Sequence, residues 1–98
     1  MIEIKETEAF SDFISHLSDD VARAKITVRV RRLAAGNPGD VAPVGEGVSE
    51  MRIHHGPGYR VYFLQRGKAL VILLCGGDKS TQRKDIVWAK KLAEDLEV

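Results

Sequence analysis

Arginine side chains recur on two neighbouring segments of the chain at a spacing that could bind phosphate. Arg52 and Arg60 lie on two predicted strands joined by the loop Gly56-Pro57-Gly58, so a regular hairpin would place both guanidinium groups on one face. Guanidinium groups bind phosphate through two parallel hydrogen bonds and stay charged at any working pH. We therefore interpret the pair as a candidate phosphate-binding or phosphorane-stabilising site. Two solvated strand arginines with acidic neighbours are the alternative.

A second group of cations stands where the final helix is predicted to begin. Lys79, Arg83 and Lys84 are close to the positive end of that helix dipole, where a cation is unfavourable. A bound anion would offset both the dipole and the cations, which makes this helix entry a candidate anion site. Screening of the cations by Asp78 and Asp85 at the surface is the alternative.

His54 and His55 could contribute acid–base chemistry beside the arginines, because histidine changes charge near neutral pH. Neighbouring residues on a regular strand face opposite sides, so we expect only one of the two to line the site. Adjacent histidines and one distant cysteine lack the spacing of metal ligands, and we predict no metal site. Tyr62, on the same face as Arg60, is a candidate for stacking on a nucleic-acid base.

Positive charge is concentrated between residues 52 and 84 although the whole chain carries a net charge of only +1. In this stretch a single acid, Asp78, accompanies seven basic residues, which are Arg52, Arg60, Arg66, Lys68, Lys79, Arg83 and Lys84. A local field of this kind indicates an anionic partner, with phosphate the first candidate. Arg66, Lys68, Arg83 and Lys84 extend the predicted binding surface beyond the central arginines.

The elements that must position these side chains follow from hydrophobic periodicity and turn residues. Predicted strands cover 1–5, 49–54, 59–66 and 69–75, with a possible short strand within 41–48. Thr7 is predicted to cap a first helix, Ser18 or Asp19 a second helix running to about Ala35, and Ser80 or Thr81 the last. The order predicts an α+β fold, with an antiparallel sheet, a central strand over 69–75 and helices packed on one face. The other face would expose Arg52, His54, Arg60 and Tyr62.

Length and composition limit the possible classes of protein. A chain of 98 residues suits one domain spanning 1–98, and one cysteine excludes an intrachain disulfide. The longest apolar run has seven residues, against the ~20 that a bilayer-spanning helix needs. Acidic residues interrupt the N-terminus where a signal sequence would be apolar. We therefore expect a cytoplasmic protein without a membrane partner.

Four motifs together resemble one known family over essentially the whole chain. They are G-N-P-G-D at 36–40, G-x-G-V-x-E-x-R-I at 45–53, G-P-G-Y-R-V-Y-F at 56–63, and L-x-G-G-D-K-S-x-Q-x-x-D-I-x-x-A at 74–89. The combination is similar to the RelE/ParE toxin superfamily, and more narrowly to its HigB-like branch of phage-related addiction module killer proteins. The second and third motifs contain Arg52 and Arg60, and the fourth contains Lys79.

The resemblance implies a toxin of a bacterial type II toxin–antitoxin system with a RelE-like fold. Many such toxins are endoribonucleases that enter the ribosome and cut mRNA by attack of a ribose 2′-OH on the neighbouring phosphate, without metal or cofactor. Carried over to this chain, Arg60 takes a phosphate-stabilising position, Arg52 a basic position on the preceding strand, and Lys79 the basic residue of the last loop. The implied partners are the ribosome, mRNA and a small helix-turn-helix antitoxin, with DNA reached only through that antitoxin.

The chain departs from the family pattern in its final helix. Several ribonuclease members have a catalytic tyrosine or histidine there or in the tail, where this chain has Ile86 and later Val98. The remaining candidates for a general base are His54, Tyr62 and Lys79. The departure also keeps two other functions open, a toxin that binds DNA gyrase without catalysis and an inactive toxin that serves as antitoxin partner and co-repressor.

Overall fold

In the computed structural model, which describes residues 1–96, five β-strands form one sheet in the order β1-β5-β4-β3-β2. The strands are β1 (Glu3–Glu6), β2 (Val41–Gly45), β3 (Val48–Ile53), β4 (Tyr59–Arg66) and β5 (Leu70–Gly77). The helices are α1 (Glu8–Ser15), α2 (Asp20–Ala34) and α3 (Gln82–Leu96), and a 3-10 turn, Lys79–Thr81, precedes α3. The predicted α+β class is confirmed, and the possible strand within 41–48 is present. Val98, named above for the tail, lies outside the described residues.

The direction of β1 differs from the predicted antiparallel sheet. Consecutive hairpins connect β2, β3, β4 and β5, and each of these strands runs antiparallel to the next, as expected. In contrast, β1 lies parallel to β5, with Glu3 opposite Leu70. Two helices follow β1 before the chain enters the sheet again, so no tight turn sets its direction. The sheet is therefore mixed. The predicted central strand, β5, is an interior strand, while β4 occupies the middle.

Polar side chains begin the first two helices as their types predict. The Thr7 hydroxyl accepts a hydrogen bond from the backbone N–H of Phe10 at 3.1 Å and caps α1. The Asp19 carboxylate accepts one from the N–H of Ala22 at 3.0 Å and caps α2. Each cap satisfies an N–H that has no partner within its own helix.

The approach to α3 is built differently from the prediction. Asp78, rather than Ser80 or Thr81, is the capping residue, and its carboxylate accepts a hydrogen bond from the N–H of Ser80 at 2.8 Å. The Thr81 side chain completes a capping box with the backbone of Asp78 and donates to the Asp85 carboxylate at 2.5 Å. A Cβ at Gly77 would overlap that carboxylate, so glycine lets α3 begin close against β5.

Helices cover both faces of the sheet, whereas the sequence predicted coverage of one face. The core beneath α1 and α2 contains Phe10, Ile26, Leu33, Met51, Ile53, Val61, Phe63, Val71 and Leu73. The core beneath α3 contains Val48, Tyr62, Leu64, Leu74, Cys75, Ala89 and Ala93. A second helical layer is possible because β4 and β5 carry apolar side chains on both faces. The charged residues Arg52 and Arg60 of the α3 face lie near the start of α3, beyond the part of the sheet that the helix covers. Within residues 1–96, none of the helices is both long and apolar enough to span a membrane.

Candidate functional site

The β3–β4 hairpin places the two central arginines side by side. Arg52 and Arg60 are direct cross-strand partners on the α3 face, which confirms the predicted register. Their side chains differ in exposure, since that of Arg52 is 39% exposed and that of Arg60 only 12%. Two like charges in directly opposed positions repel one another, so the arrangement needs a compensating group.

Glu50 supplies that compensation from the interior. Its side chain is 1% exposed, and its Oε1 atom lies 3.2 Å from Nε of Arg52 and 3.8 Å from Nε of Arg60. Its other oxygen accepts a hydrogen bond from Nε2 of Gln82, the first residue of α3, at 2.9 Å. A buried carboxylate is tolerated only when it is paired and hydrogen-bonded, as Glu50 is. Glu50 therefore ties Arg52 to the start of α3 by hydrogen bonds, and it attracts Arg60, whose buried Nε atom makes no hydrogen bond within residues 1–96.

Asp40, just before β2, joins His54 to the same group of charges. Its Oδ2 atom lies 2.5 Å from Nε2 of His54, and its Oδ1 atom lies 3.4 Å from Nη1 of Arg52. The hydrogen bond with His54 lowers the pKa of Asp40, the attraction of Arg52 lowers it further, and partial burial opposes both. The contact engages Nε2 of the His54 ring, and Nδ1 is the ring nitrogen that faces away from Asp40.

Arg29 on α2 fixes the backbone around this cluster. From its pattern alone, the sequence predicts that all four α2 arginines, Arg23, Arg29, Arg31 and Arg32, are solvated or face a partner. Instead the Arg29 guanidinium donates hydrogen bonds to the carbonyl oxygens of Arg52 at 2.6 Å, Asp40 at 3.1 Å and Pro38 at 3.2 Å. One guanidinium therefore ties the end of β3 to the segment that carries Asp40.

The four residues predicted to be catalytic line one open pocket of about 600 Å³. They are Arg52, His54, Arg60 and Lys79, and the 56–58 loop and Gln82 complete the wall. We name this concavity the phosphate pocket. Arg52 and Arg60 come from β3 and β4, and His54 directly follows β3. Lys79 reaches the pocket because the 3-10 turn lies beside the 56–58 loop. The structure thus brings the four side chains together, and their catalytic roles stay predictions.

Arg83 and Lys84 adjoin the phosphate pocket. They line a second concavity of about 470 Å³ that shares Lys79 and Gln82 with the first. The two neighbouring carboxylates are engaged elsewhere, since Asp78 binds Ser80 and Asp85 binds Thr81. Both carboxylates keep their negative charge in these hydrogen bonds, so the anion site and the surface screening at this helix entry both stay predictions.

Tyr62 does not lie on the exposed surface where the sequence placed it. Its side chain is fully buried beneath α3, because that helix covers this part of the face. Burial raises the pKa of the Tyr62 phenol, and the nearby carboxylates of Glu50 and Asp85 raise it further. A buried phenol cannot stack on a nucleic-acid base, and a neutral phenol cannot act as the general base. The expected exposure of Tyr62 is wrong, and we leave Tyr62 out of the proposed site.

Arg66 and Lys68 lie at the other end of the molecule. Six residues along β4 separate Arg66 from Arg60, which is roughly 20 Å at about 3.3 Å per residue. Lys68 lines a separate concavity together with residues of the N-terminus and of the end of α2. An RNA-binding role for these two residues stays a prediction, and it would require a ligand that extends across the whole sheet.

Because β3 ends at Ile53, strand alternation does not separate the two histidines, and the expectation that only one of them would line the site is wrong. His55 lines the phosphate pocket together with His54. Its Nε2 atom lies 3.0 Å from Oδ2 of Asp19, the residue that caps α2, so the ring links the 56–58 loop to that helix. The backbone N–H of Ala22 lowers the pKa of Asp19, and His55 adds to this effect. Within residues 1–96 there is no cluster of three or more His, Cys, Asp or Glu side chains that could hold a metal ion.

Sequence reasoning missed the residues that orient the site. Glu50 was recognisable from the alternation, since it shares a face with Arg52 two residues away. Gln82 and Asp40 occur in the motifs, but no local pattern gave them a role, because their contacts with Glu50 and His54 span 32 and 14 residues of chain. Such long-range pairs become visible only after the fold has been assembled.

A family model described as "Phage derived protein Gp49-like (DUF891)" matches residues 12–94, a range that includes every residue of the phosphate pocket but not β1 or the cap of α1. The chain belongs to the phage-derived Gp49-like family. This family is part of the RelE/HigB-like superfamily of addiction toxins. A protein of Haemophilus influenzae described as "Uncharacterized protein" is 53% identical over 95 residues, which cover 97% of this chain and 96% of that protein. Membership of the Gp49-like family agrees with the resemblance in the motifs at the level of the superfamily.

Proposed function

We propose that this protein is the toxin of a bacterial toxin–antitoxin module and that it inhibits translation by cutting ribosome-bound mRNA in the phosphate pocket. One observation carries the proposal: Glu50 holds Arg52 and Arg60 side by side in a pocket that also contains His54 and Lys79. Membership of the Gp49-like family supports the same class of function. The HigB-like branch and the ribonuclease activity are parts of this proposal.

The reaction uses the RNA itself as the nucleophile. The ribose 2′ oxygen attacks the adjacent phosphorus, a new O2′–P bond forms, and the P–O5′ bond breaks to leave a 2′,3′-cyclic phosphate and a 5′-hydroxyl. Nδ1 of His54 accepts the proton of the 2′-hydroxyl while Asp40 holds the ring through Nε2. Lys79, which lines the same pocket, supplies a proton to the departing 5′ oxygen.

Arg60 and Arg52 stabilise the charge that develops on the phosphate oxygens. Arg60 is the more buried of the pair, at 12% exposure, so water screens its charge less. Preorganised donors aimed at developing charge contribute the largest single part of many rate enhancements. The Glu50 carboxylate orients Arg52 through a hydrogen bond and attracts Arg60 at 3.8 Å before substrate arrives, which reduces the reorganisation that binding requires.

The partner of this toxin is an antitoxin that neutralises it by binding. We expect a small helix-turn-helix protein encoded by the adjacent open reading frame, so that the toxin meets DNA only through the antitoxin. Co-expression of that reading frame should restore growth of cells that express the toxin.

Arg60→Ala tests the proposed reaction. Primer extension on translated mRNA should reveal codon-linked cuts with the native protein and a rate lower by roughly 10²–10³ with the variant. The matched control is Arg31→Ala, which removes the same charge from the exposed end of α2. Growth arrest by Arg60→Ala with mRNA left intact would contradict the proposal. If the native protein then inhibits DNA supercoiling by purified gyrase, a gyrase-binding toxin is favoured. If expression of the native protein does not inhibit growth, an inactive toxin is favoured.

A further inference from the structure

The outer surface of α3 carries an exposed indole that the fold does not use. Trp88 is the one tryptophan of the chain and is 47% exposed, and its neighbour Val87 is 70% exposed. The packing of α3 on the sheet is carried by Ala89 and Ala93 on the opposite side of the helix. A large aromatic side chain kept in solvent is a frequent feature of recognition surfaces.

Cations flank Trp88 along the helix. Lys84 precedes it by four residues and Lys91 follows it by three, so the three side chains are neighbours on one face, and both lysines are exposed. Arg83 is exposed beside them. The carboxylate of Asp85 is bound by the Thr81 hydroxyl on the sheet side, and so it does not neutralise this face. We name Arg83, Lys84, Trp88 and Lys91 the basic strip.

The basic strip continues directly from the phosphate pocket. Arg83 and Lys84 line the concavity that shares Lys79 and Gln82 with that pocket. From Lys84 to Trp88 is about one helical turn, close to 5.4 Å along the axis. A polymer bound at Arg60 can therefore pass Lys79 and reach the indole without leaving positively charged surface.

The chemistry of the strip favours single-stranded RNA over a protein partner. Surfaces that bind single strands combine cations for the backbone with aromatic rings on which bases stack. The central parts of protein–protein interfaces are instead depleted in lysine. An indole with lysines on both sides along the helix therefore resembles a surface that binds single-stranded RNA.

We propose that single-stranded RNA extends from the phosphate pocket along α3 and stacks one base on Trp88, with its flanking phosphates on Lys84 and Lys91. This inference extends the proposed function by assigning a second contact to the same RNA. Stacking itself requires no cleavage, so the two can be tested separately.

The indole reports directly on this contact because it is the one tryptophan of the chain. The probe is an RNA oligomer of about eight nucleotides, within the usual site size, with every 2′-hydroxyl methylated so that it cannot be cleaved. An abasic oligomer of the same length and charge is the control. The first should quench tryptophan fluorescence on binding, and the second should bind more weakly without quenching.

Variants measured by anisotropy of the labelled oligomer separate stacking from charge. Trp88→Ala should raise Kd about 5- to 100-fold, and Trp88→Phe should recover part of that loss because a π face is kept. Val87→Ala, at the more exposed neighbouring position, should change Kd by less than about twofold. Lys84→Ala should reduce the slope of log K against log salt concentration by roughly the amount that one phosphate contact contributes.

Two results would overturn the proposal. Equal quenching by the abasic oligomer would show that charge alone drives binding. A fluorescence response to the product of the adjacent reading frame, with none to RNA, would make the strip a protein interface. Primer extension reports on the phosphate pocket independently. Quenching by RNA without mRNA cleavage would contradict the proposed function and leave this inference standing.

Discussion

The two faces of the sheet use the same strands in opposite ways. On the face beneath α1 and α2, β3 and β4 present Met51, Ile53, Val61 and Phe63, all buried in an apolar core. On the face beneath α3, the same two strands carry apolar residues such as Val48 and Leu64 at one end of the hairpin and charged residues at the other end, next to the 56–58 loop. Alternating positions of one hairpin therefore serve stability on one side and the candidate site on the other.

The difference arises from where the covering helices begin. α3 starts at Gln82, which lies against Glu50, and so the cross-strand pair Arg52 and Arg60 lies just beyond the covered surface. The charges are thereby partly shielded from water while one side remains open to a ligand. Partial burial strengthens electrostatic attraction, and the open side admits a phosphate without unfolding the helix. The pocket therefore exists because α3 covers this face only as far as Glu50 and leaves Arg52 and Arg60 open on one side.

The strongest test of this comparison measures two variants side by side, one in the apolar core of the α1 and α2 face and one at the buried carboxylate of the α3 face. Phe63→Ala should lower the free energy of unfolding by about 3–5 kcal/mol, because it leaves a cavity in the apolar core. Urea denaturation measures this loss. Cleavage of mRNA per folded molecule should stay near the native value, since Phe63 faces away from the pocket. A large loss of cleavage would show that the two faces are coupled.

Glu50→Ala is the counterpart on the α3 face. The free energy of unfolding should fall by roughly 3 kcal/mol, near the low end for a broken buried pair, because Arg52 remains partly in water. Unlike Phe63→Ala, it should also weaken RNA binding, since the two guanidinium groups then repel each other without compensation. Glu50→Gln keeps the shape and the contact with Gln82, and it isolates the contribution of the charge. Native RNA affinity in Glu50→Ala would refute the positioning role.

Two adjacent glycines allow a finer comparison. A Cβ at Gly76 would overlap the ring of Phe13 on the α1 face, and a Cβ at Gly77 would overlap Asp85 on the α3 face. Gly76→Ala and Gly77→Ala should each cost about 1–3 kcal/mol in urea denaturation, because either one overpacks a close contact. Only Gly77→Ala should also reduce RNA cleavage, since it displaces the turn that carries Lys79. Equal effects of both on cleavage would mean that the faces do not act separately.

The smallest expected effect concerns Asp40 at the rim of the site. Its pKa is lowered in the folded protein, so it stabilises the fold above the unfolded pKa of about 3.9, and this stabilisation is lost as pH falls through the lower folded value. Urea denaturation between about pH 6 and pH 2.5 should therefore show a steeper acid-side decline for the native protein than for Asp40→Asn. Asp19 and Asp78, whose pKa values are also lowered, contribute equally to both proteins. Parallel curves would show that the pair with His54 does not form in solution.

Local patterns were sufficient for much of the fold and part of the site. The caps Thr7 and Asp19, the hairpins and the pairing of Arg52 with Arg60 depend on residues close together in sequence, and each was predicted correctly. The parallel direction of β1 was not, since no short connection specifies it. The burial of Tyr62 was missed because alternation separates two faces of a strand but does not say whether both are covered.

By itself, the sequence determined the chemical inventory of the protein: a concentration of guanidinium and ammonium groups around a hairpin, on a chain with little net charge. The tertiary structure alone decided which members of that inventory act together. It placed Lys79 with Arg52, His54 and Arg60, moved Arg66 and Lys68 to the far end, and left Trp88 in solvent. The physical reason is that charge and periodicity are local properties of a chain, whereas burial and the pairing of a residue such as Glu50 depend on segments that meet only when the chain folds.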